Sequence, residues 1–229
     1  MHKREKLRVA ALITGGKDST LALHRAIEIG YDVKNLVTIR PKRSDSWMFH
    51  FPNIHLTSLF AEAVEIPLVE AETEGIKELE LEDLRRLLST LEVDAIINGA
   101  TSSRYQKERI DKICSELDLI SISPLWQLNP KKMLEEFIQL EFKAVIIGVY
   151  AMGFNKSWLG REINTSTLHD LLKLNRKYQV SLLGEGGEYE TLVLDGPIFN
   201  KKIELFQKEI IWNDNGGYLH VKEARLISK

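Results

Sequence analysis

The chain has 229 residues, a hydrophobic content of 44% and a formal net charge of −2, which is ordinary for a soluble globular protein of one large or two small domains. The near-neutral balance leaves no electrostatic footprint for nucleic acid, so we expect no direct nucleic-acid partner. No segment approaches the roughly 18 apolar residues of a membrane span, and no apolar signal region follows the charged first residues. These features predict a cytoplasmic protein without a membrane partner.

Strand-like and helix-like segments alternate over the first half of the chain. The predicted strands are 7–13, 33–39, 66–69, 95–97 and 119–122, and the predicted helices are 18–29, 56–64, 76–91 and 103–117. This alternation predicts an α/β domain, residues 1–126, with a parallel sheet and helices on both faces. Such sheets bind ligands at the carboxyl ends of their strands, where the turns at Thr14 and Gly99 and the loop 40–55 are expected.

The pattern changes after Pro124 and predicts a smaller α+β domain, residues 127–229. Helices are expected at 131–140 and 167–178, and strands at 144–149, 192–194, 202–211 and 218–224. Asn215, Gly216 and Gly217 form a turn signal between the last two strands.

A glycine-rich turn joins the first strand to the first helix. Gly15 and Gly16 allow the backbone to approach a polyanion closely, and the following helix N-terminus offers unpaired N–H groups. Lys17 supplies a point charge against phosphate, and Thr14 and Ser19 supply hydroxyl groups. The spacing is neither that of a Walker A loop nor that of G-x-G-x-x-G.

Asp18 is the unusual member of this turn, because a carboxylate repels phosphate. It is expected either to cap the helix or to help hold a Mg²⁺ ion that bridges the phosphates. The structural alternative for the whole segment is a tight strand-to-helix turn with an aspartate cap.

A second block, from Gly99 to Arg109, follows the fourth predicted strand. Ser103 is expected to cap the next helix. Tyr105 and Arg109 are four residues apart and so share a helix face, and with Gln106 they are candidates for binding an anion such as phosphate. A solvent-exposed helix face is the competing interpretation.

A third block, Gly184-Glu-Gly-Gly-Glu-Tyr-Glu-Thr191, places three carboxylates among three glycines. Carboxylates so close repel one another, which a simple surface turn does not require. Glu185, Glu188 and Glu190 are candidates to hold Mg²⁺, to bind an ammonium-like group or to act as a general base. In the loop 40–55, Trp47 and Met48 are candidates to contact adenine or a partner protein, with core packing as the alternative.

The glycine-rich turn resembles the S-G-G-x-D-S loop of the PP-loop (N-type ATP pyrophosphatase, adenine nucleotide alpha hydrolase-like) superfamily, with Thr14 in place of the first serine. Together with Asp45-Ser-Trp-Met-Phe-His50, G-A-T-S-S-R-Y-Q-K-x-R, Trp158-Leu-Gly-Arg161 and G-E-G-G-E-Y-E-T, the chain resembles the diphthine–ammonia ligases over nearly its whole length. The resemblance implies a HUP-type, Rossmann-like first domain that binds ATP. It also implies amidation of diphthine on translation elongation factor 2, through an acyl-adenylate, with ATP and Mg²⁺, ammonium as nitrogen donor and release of AMP and pyrophosphate.

The resemblance also implies roles for particular residues, without assigning metal ligands. The nucleotide-binding candidates are Thr14, Gly15, Gly16, Lys17, Asp18, Ser19, Gly99, Ser103, Tyr105, Gln106 and Arg109; the catalytic candidates are Lys17, Asp18, Glu188 and Glu190; and the substrate-binding candidates are Glu185, Gly186, Gly187, Tyr189, Thr191, Trp47 and Met48.

The single cysteine, Cys114, lies on the predicted apolar face of a helix and is expected to be a buried structural thiol. That position argues against a glutaminase nucleophile and therefore for ammonium as nitrogen donor. The presence of only one cysteine also argues against a persulfide-forming cysteine pair and excludes a cysteine-held iron–sulfur cluster. The alternatives are a PP-loop ligase acting on tRNA or a small molecule, and a nucleotide-binding module without turnover. Assembly into a homodimer is a further expectation.

Overall fold

The computed structural model of the protein describes residues 6–42 and 53–229. The chain divides into two compact units. We call N-terminal unit the described residues up to Thr14 together with Asp18–Trp126, and C-terminal unit the segment Gly15–Lys17 together with Gln127–Lys229. Within the described residues, no helix combines the length and the apolar character that a membrane crossing requires.

The N-terminal unit alternates strands and helices, as the sequence predicts. Its strands are β1 (Arg8–Leu12), β2 (Asp32–Pro41), β3 (Leu68–Thr73), β4 (Ala95–Ile97) and β5 (Ile120–Ile122). Its helices are α1 (Lys17–Ile29), α2 (Thr57–Val64), which follows a 3₁₀ turn at Ile54–Leu56, α3 (Lys77–Leu88) and α4 (Arg104–Glu116).

These strands form a parallel sheet in the order β3-β2-β1-β4-β5. Right-handed crossovers along that order place α1 and α2 on one face and α3 and α4 on the other. Val9, Ala10 and Ala11 are all buried, as expected for a strand that is covered on both faces. The predicted parallel sheet with helices on both faces is therefore confirmed. The order reverses between β1 and β4, which is where such sheets bind ligands.

The helices α3 and α4 cover one face of this sheet with an apolar core. Leu84 of α3 and Ile110 of α4 belong to one buried cluster with Ala10 and Ile96 of the sheet. Cys114 lies in the same cluster with none of its surface exposed, and burial raises the pKa of its thiol to about 11. The prediction of a buried structural thiol is confirmed.

The C-terminal unit is an α+β structure built on an antiparallel sheet. Its elements are α5 (Pro130–Gln139), β6 (Lys143–Val149), α6 (Thr165–Tyr178), β7 (Tyr189–Asp195), β8 (Lys201–Asn213) and β9 (Gly216–Ser228), with a 3₁₀ turn at Lys156–Trp158. The strand order is β7-β6-β9-β8, and the pairs β6–β7, β6–β9 and β8–β9 are antiparallel.

The strand β7 begins at Tyr189, whereas the sequence predicted a strand at 192–194 only. Glycines and glutamates before that point suggested a loop. Tyr189 and Glu190 instead pair with Val149 and Gly148 of β6, because long-range ladder pairing outweighs the weak local preference of this segment. The second half of the acidic motif is therefore part of a sheet.

Candidate active site

The carboxyl ends of β1 and β4 lie side by side at the reversal point of the parallel sheet. The hydroxyl of Ser19 lies 3.3 Å from the backbone N of Thr14, which donates to it, and 3.2 Å from the Thr14 hydroxyl. Asp18 is in the first turn of α1. The N-terminus of α1 thus follows directly on a short hydroxyl-stabilised turn, the kind of strand-to-helix junction at which proteins bind anions.

Gly99 brings the turn after β4 against the start of α1. A Cβ atom on Gly99 would lie 2.8 Å from the backbone N of Ser19 and 3.0 Å from the carbonyl carbon of Asp18. Backbone atoms cannot yield to such an approach as a flexible side chain can. Only glycine therefore allows these two turns to lie this close together.

The helix α4 holds the second block of predicted residues. Ser103 caps the helix, as predicted, by accepting from the N–H of Gln106 at 3.4 Å. The guanidinium carbon of Arg109 lies 3.5 Å from the ring centroid of Tyr105, so the predicted shared face is confirmed. Nη1 of Arg109 donates to the Tyr105 carbonyl at 3.2 Å.

One donor of Arg109 remains available. Its Nε atom is buried and has no hydrogen-bond partner among the described residues. Buried donors of a charged group are normally paired, so this guanidinium suits an anionic group that is supplied from outside the chain.

The Gly15–Lys17 segment lies along β7 within the C-terminal unit. The carbonyl of Gly15 accepts from the N–H of Val193 at 2.8 Å, and the N–H of Lys17 donates to the Thr191 hydroxyl at 3.1 Å. Gly15 has φ +81°, a conformation that favours glycine. The glycine-rich turn is therefore joined by hydrogen bonds to β7, which carries the end of the acidic motif.

The side chain of Lys17 is 4% exposed. Its Nζ donates to the carbonyl of Leu183 at 2.5 Å and lies 5.0 Å from the ring centroid of Tyr189. A buried ammonium needs such partners because desolvation is otherwise costly. The lysine is thus held against the turn that precedes β7.

The turn Ser181–Glu188 is closed by the carboxylate of Glu188. That carboxylate accepts from the N–H of Ser181 at 3.0 Å and from the N–H of Gly186 at 2.8 Å. The hydroxyl of Tyr189 donates to the carbonyl of Leu182 at 2.5 Å. The two bonds to the Glu188 carboxylate are charge-assisted and therefore stronger than bonds between neutral groups, so Glu188 fixes the shape of the turn.

Two glycines in this turn are required by the backbone to different degrees. Gly184 has φ +74°, and a Cβ there would lie 2.5 Å from the carbonyl oxygen of Tyr189. Gly187 has φ +78°, but a Cβ there would meet nothing within 4 Å. Glu185 is half-buried, and its Oε1 atom is shielded from solvent.

Glu190 has different neighbours from Glu188. It pairs with Gly148 of β6, which also pairs with Tyr218 of β9. Burial and then the charges of Glu190 and Tyr218 raise the pKa of the Tyr150 hydroxyl above its usual value. Sequence reasoning missed Tyr150 and Tyr218, because only strand register brings them beside Glu190.

Other predicted residues have plainer surroundings or lie outside the described part of the chain. The guanidinium carbon of Arg161 lies 4.3 Å from the Trp158 ring centroid, and Arg161 forms an ion pair with Asp170 at 2.9 Å. These contacts give the Trp158-Leu-Gly-Arg161 block a structural explanation.

Trp47 and Met48 lie outside the described residues. Among the described residues, no group of three or more His, Cys, Asp or Glu side chains is arranged to hold a metal ion.

The comparisons with known proteins agree in both halves of the chain. Residues 7–121 match the family model of the diphthamide synthase N-terminal domain, and residues 129–227 match that of the diphthamide synthase C-terminal domain. Proteins named diphthine–ammonia ligase from Bos taurus and Homo sapiens are each 34% identical to this chain, over 96% of it and 91% of their own length. A protein of that name from Schizosaccharomyces pombe is 33% identical over 94% of this chain, which spans only 39% of that longer protein.

A solved structure of a U34-tRNA thiolase from Methanococcus maripaludis is also similar. It is 14% identical, with a TM-score of 0.40, and the match covers 79% of this chain and 70% of the thiolase chain.

Proposed function

This chain belongs to the diphthamide synthase family, and we propose that it is a diphthine–ammonia ligase, which uses ATP to convert the carboxylate of diphthine into the amide of diphthamide. The bovine and human proteins of that name match it over nearly their whole length. The structural observation that carries the proposal is the position of Lys17. Its backbone N–H donates to Thr191 and its Nζ to the carbonyl of Leu183. The lysine of the glycine-rich turn is therefore hydrogen-bonded to the last residue of the acidic motif and to the residue that precedes it.

We assign the binding of ATP to the two turns at the reversal point of the parallel sheet. Thr14 and Ser19, the N-terminus of α1 and the close approach at Gly99 provide a phosphate-binding turn of the strand-to-helix kind. The buried Nε donor of Arg109, a residue that is itself only half-buried, fits an anionic group of the nucleotide or substrate. Ser103, Tyr105 and Gln106 are proposed to line the same side, and Mg²⁺ is proposed to arrive as the ATP complex, with Asp18 as its candidate ligand.

The proposed chemistry has two steps. An oxygen of the diphthine carboxylate forms a bond to the α-phosphorus of ATP while the bond to the bridging oxygen breaks and pyrophosphate leaves. The ammonia nitrogen then attacks the acyl carbon, AMP leaves, and a base takes the protons that the nitrogen loses. Lys17 and the backbone N–H groups of Gly15 and Gly16 are proposed to stabilise the charge on the departing pyrophosphate.

The two glutamates that the sequence predicts to be catalytic are proposed to act differently. Glu190 lies beside Tyr150 and Tyr218 and is our candidate to orient or deprotonate ammonium. Glu188 accepts two backbone N–H groups, and we propose that it acts by holding the turn whose Leu183 carbonyl receives Lys17. Substrate-binding roles are proposed for Glu185, Gly186, Gly187, Tyr189 and Thr191, and for Trp47 and Met48.

We propose translation elongation factor 2 as the protein substrate. Diphthine is a modified histidine of that factor, and the family that the chain resembles acts on it. Residues 1–126 would then form the ATP-binding domain and residues 127–229 the substrate domain, apart from the Gly15–Lys17 segment, which the structure groups with the latter. A cytoplasmic location and a homodimer are part of the same proposal.

The test is AMP formation by the purified protein. Assays contain ATP-Mg²⁺, ammonium and elongation factor 2 carrying diphthine, with each component omitted in turn, and mass spectrometry follows the modified histidine. We expect AMP and pyrophosphate only in the complete mixture, together with conversion of the carboxylate to an amide. Formation of ADP would contradict cleavage between the α and β phosphates. ATP binding without AMP formation for any offered carboxylate would support a binding module instead.

A further inference from the structure

A small patch on the antiparallel sheet combines two tyrosine rings with one carboxylate. Gly148 of β6 pairs with Glu190 of β7 on one side and with Tyr218 of β9 on the other. Directly paired residues of antiparallel strands project from the same face with Cβ atoms about 5 Å apart. Glu190 and Tyr218 therefore flank Gly148 on one face of the sheet.

The ring of Tyr150 covers Gly148. A Cβ on Gly148 would lie 2.9 Å from the hydroxyl oxygen of Tyr150 and 3.0 Å from its Cε2 atom. The backbone N of Tyr150 donates to the carbonyl of Glu188 at 2.9 Å, which fixes the start of that side chain. Glycine at 148 thus leaves space for the Tyr150 ring on the sheet face that carries Glu190 and Tyr218. We call Tyr150, Glu190 and Tyr218 the tyrosine–glutamate patch.

The patch is accessible and electron-rich. Tyr150 is 44% exposed, so a ligand can reach its ring, while Oε2 of Glu190 is shielded from solvent. The hydroxyl end of Tyr150 lies against Gly148, and its burial there, with the nearby Glu190 and Tyr218, raises the pKa of the hydroxyl, so the phenol stays neutral at physiological pH. Aromatic faces and a carboxylate all attract positive charge and repel anions.

We propose that the tyrosine–glutamate patch binds an ammonium cation. A metal ion is a poor fit, because ring faces offer no hard oxygen ligands and the described residues hold no cluster of metal-binding side chains. An ammonium or alkylammonium group needs only what is present, namely π faces and one negative charge. Tyr150 and Tyr218 supply the faces, and Glu190 supplies the charge.

Two cations of this class enter the proposed reaction, and this identification rests on the proposed function. One is ammonium, the nitrogen donor. The other is the quaternary ammonium group that diphthine carries near the carboxylate that is amidated. Both share the chemistry that the patch recognises, and the experiment distinguishes them.

The first arm measures binding without any reaction. Tetramethylammonium chloride and ammonium chloride are titrated into the protein at constant ionic strength, and the NMR signals of the tyrosine rings are followed. We expect saturable shifts for at least one of the two cations. Tyr150→Leu and Tyr218→Leu should each weaken that binding roughly tenfold, the equivalent of about 1.4 kcal/mol for one desolvated cation–π contact.

Matched variants separate recognition from folding. Tyr150→Phe keeps the ring face and should retain binding, and Glu190→Gln keeps the shape but removes the charge and should weaken it. Tyr31→Leu, which removes a half-buried tyrosine of the N-terminal unit, should leave binding unchanged. Saturable binding of neither cation by the wild-type protein, or full binding by Tyr150→Leu with an unchanged circular dichroism spectrum, would overturn the proposal.

The second arm measures turnover. If the patch binds the quaternary ammonium, Tyr150→Leu should raise the KM for the diphthine-bearing protein roughly tenfold and leave the KM for ammonium unchanged. If it binds the nitrogen donor, the opposite pattern is expected. Unchanged KM values for both would overturn the role in the reaction. A wild-type protein that binds the cation but forms no AMP would contradict the proposed function and leave the cation site standing.

Discussion

We propose opposite purposes for the same kind of side chain in two neighbouring regions of the C-terminal unit. In the turn Ser181–Glu188, the carboxylate of Glu188 is surrounded by backbone N–H groups. In the tyrosine–glutamate patch, Glu190 lies on the sheet face that also carries Tyr150 and Tyr218. The carboxylate of Glu188 accepts backbone N–H groups and holds a shape, whereas we propose that the charge of Glu190 serves a cation. Proximity in sequence therefore says little about shared function.

The largest expected effect on stability comes from a substitution that disrupts the turn Ser181–Glu188. Gly184→Ala combines a φ of +74° with a Cβ 2.5 Å from a backbone oxygen, so we expect a loss of about 3 kcal/mol in the free energy of unfolding. Gly187→Ala is the matched control, since it has a similar φ but open space, and it should cost about 1 kcal/mol. Urea unfolding measures both, and equal losses would contradict the described packing of the turn.

Replacing each glutamate by glutamine tests the difference between Glu188 and Glu190 directly, with urea unfolding as the measurement. Glu188→Gln should lower the free energy of unfolding by about 2 kcal/mol, because a charged acceptor of two hydrogen bonds is lost. Glu190→Gln, which keeps the shape of the side chain, should lower it by less, about 1 kcal/mol.

The rates of amidation should rank in the reverse order. We expect a fall of roughly 100-fold for Glu190→Gln, as for the loss of a general base, and a fall of less than roughly tenfold for Glu188→Gln at saturating substrate. Amidation of diphthine is measured with both enzymes at a temperature at which each is folded. If Glu188→Gln proves the slower enzyme, the assigned division of roles is wrong.

Filling the space beneath Tyr150 disturbs the patch while sparing the turn. Gly148→Ala would place its methyl carbon 2.9 Å from the Tyr150 hydroxyl oxygen, and the flexible ring can move away. We expect a stability loss of about 1 kcal/mol together with weaker binding of tetramethylammonium or ammonium in the NMR titration. Unchanged cation binding would indicate that the position of the Tyr150 ring does not matter.

The smallest effect is expected outside both regions, at Cys114. Because burial raises the pKa of its thiol to about 11, the group stays protonated until the pH approaches that value and should not react with iodoacetamide at pH 8 in the folded protein. Mass spectrometry should detect alkylation only after unfolding in urea. Rapid labelling of the native protein would reopen the question of a cysteine nucleophile.

Features that depend only on neighbouring residues could be predicted from the amino-acid sequence. The alternation of apolar strands with amphipathic helices predicted the parallel sheet, and Ser103 was recognisable as a helix cap. The shared face of Tyr105 and Arg109 followed from helical spacing alone. Such features are local, because the repeat of a helix or strand and the capping of its ends involve residues only a few positions apart.

The surroundings of the acidic motif could not be predicted in this way, because they arise from contacts between distant parts of the chain. The start of β7 at Tyr189, the bond from Lys17 to Thr191 and the placement of Tyr150 and Tyr218 beside Glu190 all depend on strand register and on contacts between distant parts of the chain. No local pattern encodes which residues of different strands lie opposite one another, because register is selected by the packing of the whole sheet.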